Sequence, residues 1–295
     1  MSFKNIENDG SVVLRKFDKS FRIPLHATVE WKNDNADNLR TAVVIDLETT
    51  GLDCAKDKVI EIGIRSFKFD RRNGDIIEIG QSYNGLQDPK EPLNKVITDL
   101  TGITDADLKD QCIDWASVNE IFDSANVVIA HKADFERSFI DQQLPESSSK
   151  IWACSLSQVD WTANGFKCHK LEVLSYYHGF FVEFHRAMND VDALIHLLSF
   201  NNETNGKSYL NELLEAAKVP RAKILAFGSP FESKDLLRTN GYSWNSKTRV
   251  WWKSSPVHTS LDETKWLEEY IYFGPFRGEI QTLRLNDTFK SNSVE

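Results

Sequence analysis

Apolar and polar residues alternate along three early segments of the chain, at positions 41–48, 59–70 and 75–86. Alternation with a period of two is typical of β-strands that bury one face. The polar residues at 71–74 end in a glycine and predict a hairpin turn between the second and third segments. The sequence therefore predicts three consecutive antiparallel strands.

Further along the chain, apolar residues recur every three or four positions, which is typical of amphipathic helices. Helices are predicted at 92–110 with an interruption at Gly102, and at 115–125, 134–144, 171–178 and 187–200. Short apolar runs at 126–130 and 151–159 predict two more strands. Three antiparallel strands followed by strand–helix alternation predict an α/β fold, with a mixed five-stranded sheet flanked by helices.

Two polar stretches divide the chain into three predicted parts. The first stretch, at 33–38, separates an N-terminal extension at 1–40, with one or two strands within 19–31, from a main domain at 41–204. The second stretch, at 201–206, precedes a small α+β accessory module at 205–295. The module is predicted to contain helices at 209–218, 231–240 and 261–272, a hairpin at 242–253, and strands at 222–227 and 279–285.

The net charge of −9 is unevenly distributed along the 295 residues. Residues 1–204 carry 22 Lys and Arg against 33 Asp and Glu, whereas residues 205–295 carry 13 against 11. The acidic balance excludes a broad basic surface for nucleic acid. It does not exclude a nucleic-acid partner, because carboxylates can bind cations that attract phosphate.

Composition also bears on location. No apolar run approaches the roughly 18 residues that cross a bilayer, and the first residues lack the profile of a signal peptide. The four cysteines lie far apart without a Cys-x-x-Cys pair, which argues against structural zinc and against a disulfide framework. We therefore expect a cytoplasmic protein with no membrane partner.

Two carboxylates stand one residue apart at the end of the first predicted strand. Asp46 and Glu48 follow an apolar run and precede two threonines and a glycine. Since residues i and i+2 of a strand share a face, both side chains point the same way. Their mutual repulsion favours a bound divalent cation, and Mg²⁺ and Mn²⁺ prefer carboxylate oxygen. Taken alone, the pair is equally consistent with a solvated strand end.

Two later segments also combine carboxylates with a histidine. Residues 127–136 run from an apolar strand through His131 into a helix that carries Glu136, and His185 precedes Asp190 at the start of another helix. Carboxylates from separate segments with one imidazole are what two-metal phosphodiester hydrolysis requires. A histidine can accept the proton of an attacking water at neutral pH.

In this order the segments resemble the three motifs of the DnaQ-like (DEDDh) 3′–5′ exonuclease superfamily, whose members include the proofreading epsilon subunit of bacterial replicative polymerase. The resemblance covers residues 41–200 and rests on Asp46-Leu47-Glu48-Thr49-Thr50-Gly51-Leu52, on Ala130-His131-Lys132-Ala133-Asp134-Phe135-Glu136, and on His185 with Asp190. It implies an RNase H-like fold, two Mg²⁺ or Mn²⁺ ions as cofactors, and release of nucleoside 5′-monophosphates.

The resemblance also implies roles for individual residues. The catalytic set would consist of four metal-binding carboxylates and a histidine that acts as general base: Asp46, Glu48, Glu136, Asp190 and His185. Substrate would be contacted by Thr49, Leu52, His131, Lys132 and Phe135. Glu48 and the Thr49 backbone would hold the 3′-terminal hydroxyl, and Leu52 would wedge against the terminal base. His131 could alternatively be a packed core histidine.

The second motif departs from the family pattern at two positions. Glu136 stands where the family has Asp, and Lys132 stands where it has Asn. Asp134 is a rival for the metal position, but residues two apart near a helix start do not share a face, so only one of the two carboxylates should enter the site. We favour Glu136, because Phe135 then keeps its place in the motif.

These observations favour a metal-dependent 3′–5′ exonuclease that acts on single-stranded DNA or frayed 3′ ends. The first alternative is an RNA 3′–5′ exonuclease similar to RNase T or oligoribonuclease, since contacts to the 2′-hydroxyl cannot be seen in a sequence. The second is a nucleic-acid-binding protein whose nuclease site is inactive. Association with a polymerase is possible, but neither a clamp-binding motif nor a long tether indicates it.

The accessory module interleaves aromatic and basic residues, which either form a core or contact nucleic acid. They are Phe231, Lys234, Arg238, Tyr242, Trp244, Arg249, Trp251, Trp252 and Lys253. Trp251 and Trp252 point to opposite faces of a predicted strand, so one of them should be core.

Overall fold

Two compact units make up the computed structural model, which describes residues 11–290. Within the described residues, unit 1 comprises 11–217 with 289–290, and unit 2 comprises Lys218–Thr288. The division between them lies beyond the predicted boundary at 204/205. The reason is that the helix Tyr209–Ala217 buries its apolar face in the core of unit 1.

Unit 1 alternates strands and helices after a short N-terminal segment. Its strands are β1 (Arg15–Lys16), β2 (Leu39–Thr49), β3 (Val59–Asp70), β4 (Ile76–Leu86), β5 (Val127–Ala130), β6 (Trp152–Cys154) and β7 (Phe180–Phe181). Its helices are α1 (Val29–Asp34), α2 (Lys95–Thr101), α3 (Asp105–Leu108), α4 (Trp115–Asp123), α5 (Ala133–Gln143), α6 (Ser155–Gln158), α7 (Leu171–Tyr177), α8 (Ala187–Leu198) and α9 (Tyr209–Ala217). Short 3₁₀ turns lie at Ala36–Asn38 and Pro145–Ser149.

A five-stranded mixed sheet in the order β4-β3-β2-β5-β6 forms the centre of unit 1. β2 pairs antiparallel with β3 and parallel with β5, while β3–β4 is antiparallel and β5–β6 parallel. The sequence pattern predicts this mixed five-stranded sheet, and the resemblance implies its RNase H-like arrangement. A separate two-stranded pairing joins β1 to β7.

The alternation of β2 divides the core into two layers. Ala42 and Val44 pack in the layer that contains α8 and α9, whereas Val43, Ile45 and Leu47 pack on the opposite face with α4 and α5. The period of two therefore directs the side chains at positions 46 and 48 toward α8.

The predicted strands near the N-terminus are absent from the described part of that segment. Residues 19–31 contain no strand, and α1 begins at Val29 instead. The helix forms there because the Thr28 hydroxyl caps it by accepting a hydrogen bond from the Trp31 N–H at 3.2 Å.

The predicted strand at 151–159 is shorter in the structure, where β6 ends at Cys154 and α6 follows it. The side chain of Gln158 turns back and accepts a hydrogen bond from the Cys154 N–H at 2.8 Å. This bond satisfies a buried backbone donor that a longer strand would have paired.

Unit 2 is a four-stranded antiparallel sheet in the order β11-β8-β10-β9, covered on one face by helices. It contains β8 (Arg221–Ala226), α10 (Lys234–Thr239), β9 (Ser243–Asn245), β10 (Val250–Pro256), α11 (Ser260–Leu267) and β11 (Gly278–Thr282). 3₁₀ turns lie at Phe231–Ser233, Val257–Thr259 and Leu285–Asp287, and a π-helical turn lies at Glu268–Tyr272. Trp251 faces the core while Trp252 is only partly buried, as their opposite directions predict. Between residues 11 and 290, no helix is long and apolar enough to span a membrane.

Candidate active site

Asp46 and Glu48 lie at the end of β2, on the face that α8 covers. Burial, and after it the charges of Asp190, Glu136 and Glu48, raise the pKa of Asp46 well above its usual range. Burial and the charge of Asp190 raise the pKa of Glu48 to about 8. The β2 carboxylates are thus held among other acids, where a bound cation would favour their ionised forms.

Asp190 and His185 lie on either side of the start of α8. The His185 N–H donates to Asp190 Oδ2 at 3.1 Å, and burial raises the pKa of Asp190 to about 7. His185 has a φ of 62°, a left-handed conformation that non-glycine residues adopt mainly at functional or strained sites. Ligand atoms of Glu48, His185 and Asp190 all lie within 4.8 Å of one another.

Glu136, and not Asp134, is the second-motif carboxylate that faces this cluster. Glu136 lies in the first turn of α5 and is 4% exposed, whereas Asp134 is exposed to solvent. Burial raises the pKa of Glu136 to about 8, and its charge acts on Asp46. The extra methylene of Glu therefore does not remove the carboxylate from the cluster.

The donor set fits divalent cations. Among the described residues, Glu136 Oε2 and Asp190 Oδ1 are buried oxygens without a hydrogen-bond partner. A buried acceptor without a partner costs about 1–3 kcal/mol of folding stability. A hard cation would satisfy both oxygens. The raised pKa values of the surrounding carboxylates indicate the same need for positive charge.

Three of the predicted substrate contacts, Leu52, Lys132 and Phe135, are exposed or partly exposed. Leu52 is 80% exposed in the loop that follows β2, and Lys132 is exposed with its Nζ 5.5 Å from the centroid of the Phe135 ring. Thr49 is buried and its hydroxyl donates to the Gly51 carbonyl at 2.5 Å, which leaves its backbone as the group able to contact substrate.

His131, for which a substrate contact is predicted, has both ring nitrogens within hydrogen-bond distance of protein atoms. Its Nδ1 is 2.8 Å from Ser155 Oγ and its Nε2 is 2.9 Å from the His169 carbonyl oxygen. Burial lowers the pKa of His131 to about 4, so the ring is neutral. Both nitrogens connect segments of the fold, which is consistent with the structural role of the alternative interpretation, although the residue is partly exposed.

Glu61 is a site residue that the sequence interpretation missed. It lies in β3 opposite Glu48 and is 1% exposed. Its carboxylate accepts from Arg186 Nε at 3.1 Å, from Arg186 Nη2 at 3.0 Å, from the Ala187 N–H at 3.1 Å and from Asn84 Nδ2 at 3.1 Å. It thereby fixes the backbone between His185 and α8. The available signal was a single carboxylate within the apolar run at 59–64.

Replacing Glu61 with Gln is expected to lower kcat about 10- to 100-fold with little change in KM. The amide keeps the size of the side chain but removes the charge that holds Arg186 and the start of α8, and partners of this kind typically contribute that much to activity. The matched control is Glu78→Gln, because Glu78 forms ion pairs with Lys32 at 2.8 Å and Lys68 at 3.4 Å on β4, away from the cluster. A Glu61→Gln enzyme with wild-type kcat would contradict the positioning role.

Known proteins resemble part of this chain. Residues 43–198 match the model of the RNase T exonuclease family. PolC-type DNA polymerase III of Halalkalibacterium halodurans is 34% identical over 164 residues, which are 53% of this chain and 11% of that protein. The Clostridium perfringens protein of the same description is 30% identical over 169 residues, which are 54% of this chain and 11% of that protein. The chain thus spans about a tenth of the length of these curated relatives.

Two solved structures are similar in part. A structure described as exonuclease X in complex with 5′ overhanging duplex DNA has a TM-score of 0.41 and 18% identity, and covers 59% of this chain and 98% of its own. A structure of exonuclease I has a TM-score of 0.48 and 15% identity, and covers 84% of this chain and 63% of its own.

Fold, site and family agree on the class of the protein. The mixed sheet and the carboxylate–histidine cluster define a nuclease of the DnaQ-like class. The family match covers more than half of the chain, and the protein belongs to the RNase T family of 3′–5′ exonucleases.

Proposed function

We propose that unit 1 removes nucleotides from the 3′ ends of single-stranded DNA or from frayed 3′ ends, and releases nucleoside 5′-monophosphates. The observation that carries this proposal is the convergence of Asp46, Glu48, Glu136 and Asp190 beside His185, with two buried carboxylate oxygens that have no hydrogen-bond partner in the described chain. We propose that these four carboxylates are the ligands of two Mg²⁺ or Mn²⁺ ions.

Bound divalent cations at such a cluster would stabilise the negative charge that develops during phosphoryl transfer. The chain itself would supply the proton acceptor and the substrate position. His185, partly exposed beside Asp190, is the proposed general base that accepts a proton from the attacking water. Its backbone N–H holds the Asp190 carboxylate, which keeps base and carboxylate in one geometry.

Residues around the cluster would select a strand end. Leu52, exposed in the loop after β2, is proposed to wedge against the terminal base, and the backbone at Thr49 is proposed to contact the 3′-hydroxyl. Lys132, exposed beside the Phe135 ring, would attract the phosphate backbone. These contacts require an unpaired end, because a base pair would block the approach to the strand end.

The test is hydrolysis of a 5′-labelled oligonucleotide by the purified full chain with Mn²⁺ or Mg²⁺. We expect a ladder that shortens from the 3′ end, mononucleotide products, and no reaction in EDTA. Matched DNA and RNA oligonucleotides compared in parallel would decide the substrate. Binding of the oligonucleotide without any cleavage at saturating metal would contradict the proposal.

Replacing His185 with Ala is expected to lower the rate about 10²- to 10⁴-fold, the usual contribution of a general base. Metal binding, followed by Mn²⁺ titration calorimetry, should persist because the carboxylates remain. His258→Ala is the matched control, since His258 is an exposed histidine in unit 2. A His185→Ala enzyme with a rate close to that of His258→Ala would rule out the assigned role.

A further inference from the structure

One end of the unit 2 sheet gathers three loops. Trp244 pairs with Trp251, Trp251 with Ala226, and Ala226 with Gly278, so that β8 and β9 end where β10 and β11 begin. The loops 227–231, 246–249 and 273–277 therefore meet at this end. We call these loops, together with Trp244, the aromatic end of unit 2.

The aromatic end exposes large rings to solvent. Phe231 is 74% exposed and Phe273 is 84% exposed, and Phe227 and Trp244 are also exposed. The Tyr272 hydroxyl contacts the carbonyls of Phe227 and Arg277, both at 2.9 Å, and so ties two of the loops together. Clustered exposed rings forgo hydrophobic stabilisation, and in soluble proteins they mark interaction sites.

Phe273 combines high exposure with an unfavourable backbone conformation. It has a φ of 49° and ψ of 40° at the C-terminal cap of the π-helical turn Glu268–Tyr272. This left-handed position is one that glycine usually occupies, because it has no Cβ. A phenylalanine here is therefore unfavourable both in backbone conformation and in exposure, which points to a functional use of the ring.

Positive charge accompanies the rings. The three loops contain Lys247, Arg249 and Arg277, all exposed, and no Asp or Glu, although the exposed Glu232 follows directly. Lys234 Nζ lies 4.4 Å from the centroid of the Phe231 ring. Rings interleaved with cations are the combination that stacks bases and contacts phosphates of a single strand.

We infer that the aromatic end binds single-stranded nucleic acid, with bases stacked on Phe231, Phe273 and Trp244 and phosphates contacted by Lys247, Arg249 and Arg277. The inference rests on the proposed function, which supplies a nucleic-acid substrate for a chain whose unit 1 is acidic. The rings read no particular base, because every base has a face that can stack. The partner is a single strand rather than a duplex, in which the base faces are covered by neighbouring pairs.

The experiment measures binding of the full chain to a fluorescent single-stranded DNA of about 20 nucleotides in EDTA, by fluorescence anisotropy. We expect Phe273→Gly to weaken binding about 5-fold or more, the range reported by alanine substitution of a stacking ring. Because glycine suits the left-handed position, the same variant should unfold at a temperature no lower than wild type. A stable variant with weaker binding would therefore assign the ring to the ligand.

The cations are tested by the salt dependence of the same binding. Arg249→Gln with Arg277→Gln should reduce the slope of log affinity against log salt by about 1.4, since each phosphate contact on a single strand contributes about 0.7. Leu261→Ala is the control, because Leu261 is a 67% exposed apolar side chain at the start of α11, away from these loops. Wild-type affinity and slope in the Phe273 and arginine variants would overturn the inference. So would equal losses in Leu261→Ala, or duplex binding as tight as single-strand binding.

Failure of the proposed catalysis is distinguishable from failure of this surface. A p-nitrophenyl ester of thymidine 5′-monophosphate reports chemistry in unit 1 and is too small to need a second contact. Phe273→Gly should hydrolyse this ester at the wild-type rate while its KM for a long oligonucleotide rises about 5-fold or more. Absence of ester hydrolysis in every protein would reject the catalytic proposal alone. Slower ester hydrolysis confined to the Phe273 variant would overturn the assignment of a strand-binding role.

Discussion

The Asp46→Asn variant is expected to lose at least about 10³-fold of its hydrolytic rate and yet to unfold at a higher temperature than wild type in metal-free buffer at pH 8. Asp46 lies among Asp190, Glu136, Glu48 and Glu61, whose charges raise its pKa after burial has done so. The amide keeps the shape of the side chain and removes one of the repelling charges. It also removes a proposed metal ligand, and with it the electrostatic stabilisation on which the reaction depends.

The pH dependence follows from the direction of these shifts. Glu48 and Glu136 titrate at about 8 in the folded chain, above the value of about 4.3 in an unfolded chain. As the pH rises, these carboxyl groups lose their protons in the unfolded state before they do so in the folded state. The metal-free protein therefore becomes less stable as the pH rises from about 4 to about 8. The pKa of Asp46 is raised in the same direction, so replacing Asp46 with Asn removes its own share of that loss, and saturating Mn²⁺ should lessen the loss in wild type.

Thermal unfolding at pH 5 and pH 8, with EDTA and with Mn²⁺, checks both halves of the prediction. Each kcal/mol of repulsion removed corresponds to a rise of about 2–4 °C for a domain of this size. Asp134→Asn is the matched control, because Asp134 is an exposed carboxylate two residues from Glu136. It should keep the wild-type rate. An Asp46→Asn protein that is less stable than wild type in EDTA at pH 8 would contradict the proposed crowding of charges.

The placement of the candidate cluster follows largely from local sequence patterns. The period of two in β2 aims Asp46 and Glu48 toward one face, and the start of a helix carries Asp190 five residues after His185. Helix geometry predicted that only one of Glu136 and Asp134 enters the site, and the motif position of Phe135 favoured Glu136. The structure buries Glu136 and exposes Asp134.

Residues whose role depends on distant partners could not be assigned in this way. Glu61 faces Glu48 only because β2 and β3 pair in one register, and its partner Arg186 lies 125 positions later. The two ring nitrogens of His131 contact Ser155 Oγ and the His169 carbonyl oxygen, 24 and 38 positions away. A sequence motif shows which residues occur together. It does not show which distant residues form hydrogen bonds with them in the folded protein.

The division between the two units differs from the polar stretch in the sequence for a related reason. The polar stretch at 201–206 resembles a linker, yet the chain returns to the same core through α9, where Tyr209, Leu210 and Leu213 are buried. An amphipathic helix is buried where its apolar face packs against an apolar surface elsewhere in the fold. The sequence of the helix alone does not show which surface that is. The bounds of β3, whose alternating pattern is long, were predicted without error.

The Gly63→Ala variant is expected to lower the rate about 10²-fold and stability by about 1–3 kcal/mol. Gly63 pairs with Asp46 across the sheet, and a Cβ at this position would lie 2.5 Å from the Ala187 carbonyl carbon and 2.5 Å from the Met188 nitrogen. Those are backbone atoms in the first turn of α8, which cannot yield by a rotamer change. The helix must therefore move away from the sheet, and it carries Asp190 with it.

Activity and unfolding of Gly63→Ala are best compared with those of Gly80→Ala, the same change on β4 of the same sheet. The closest atom to a Cβ at Gly80 is the Ser66 hydroxyl, which can rotate away, so this control should retain most of its rate. A shift of about 1 Å in a positioning element is enough to cost 10²-fold in rate, whereas the same shift elsewhere in the sheet would cost stability only. Equal rates in the two variants would mean that the distance between β3 and α8 does not set the geometry of the carboxylates. A rate loss confined to Gly63→Ala would show that Asp190 can approach Asp46 because position 63 has no side chain.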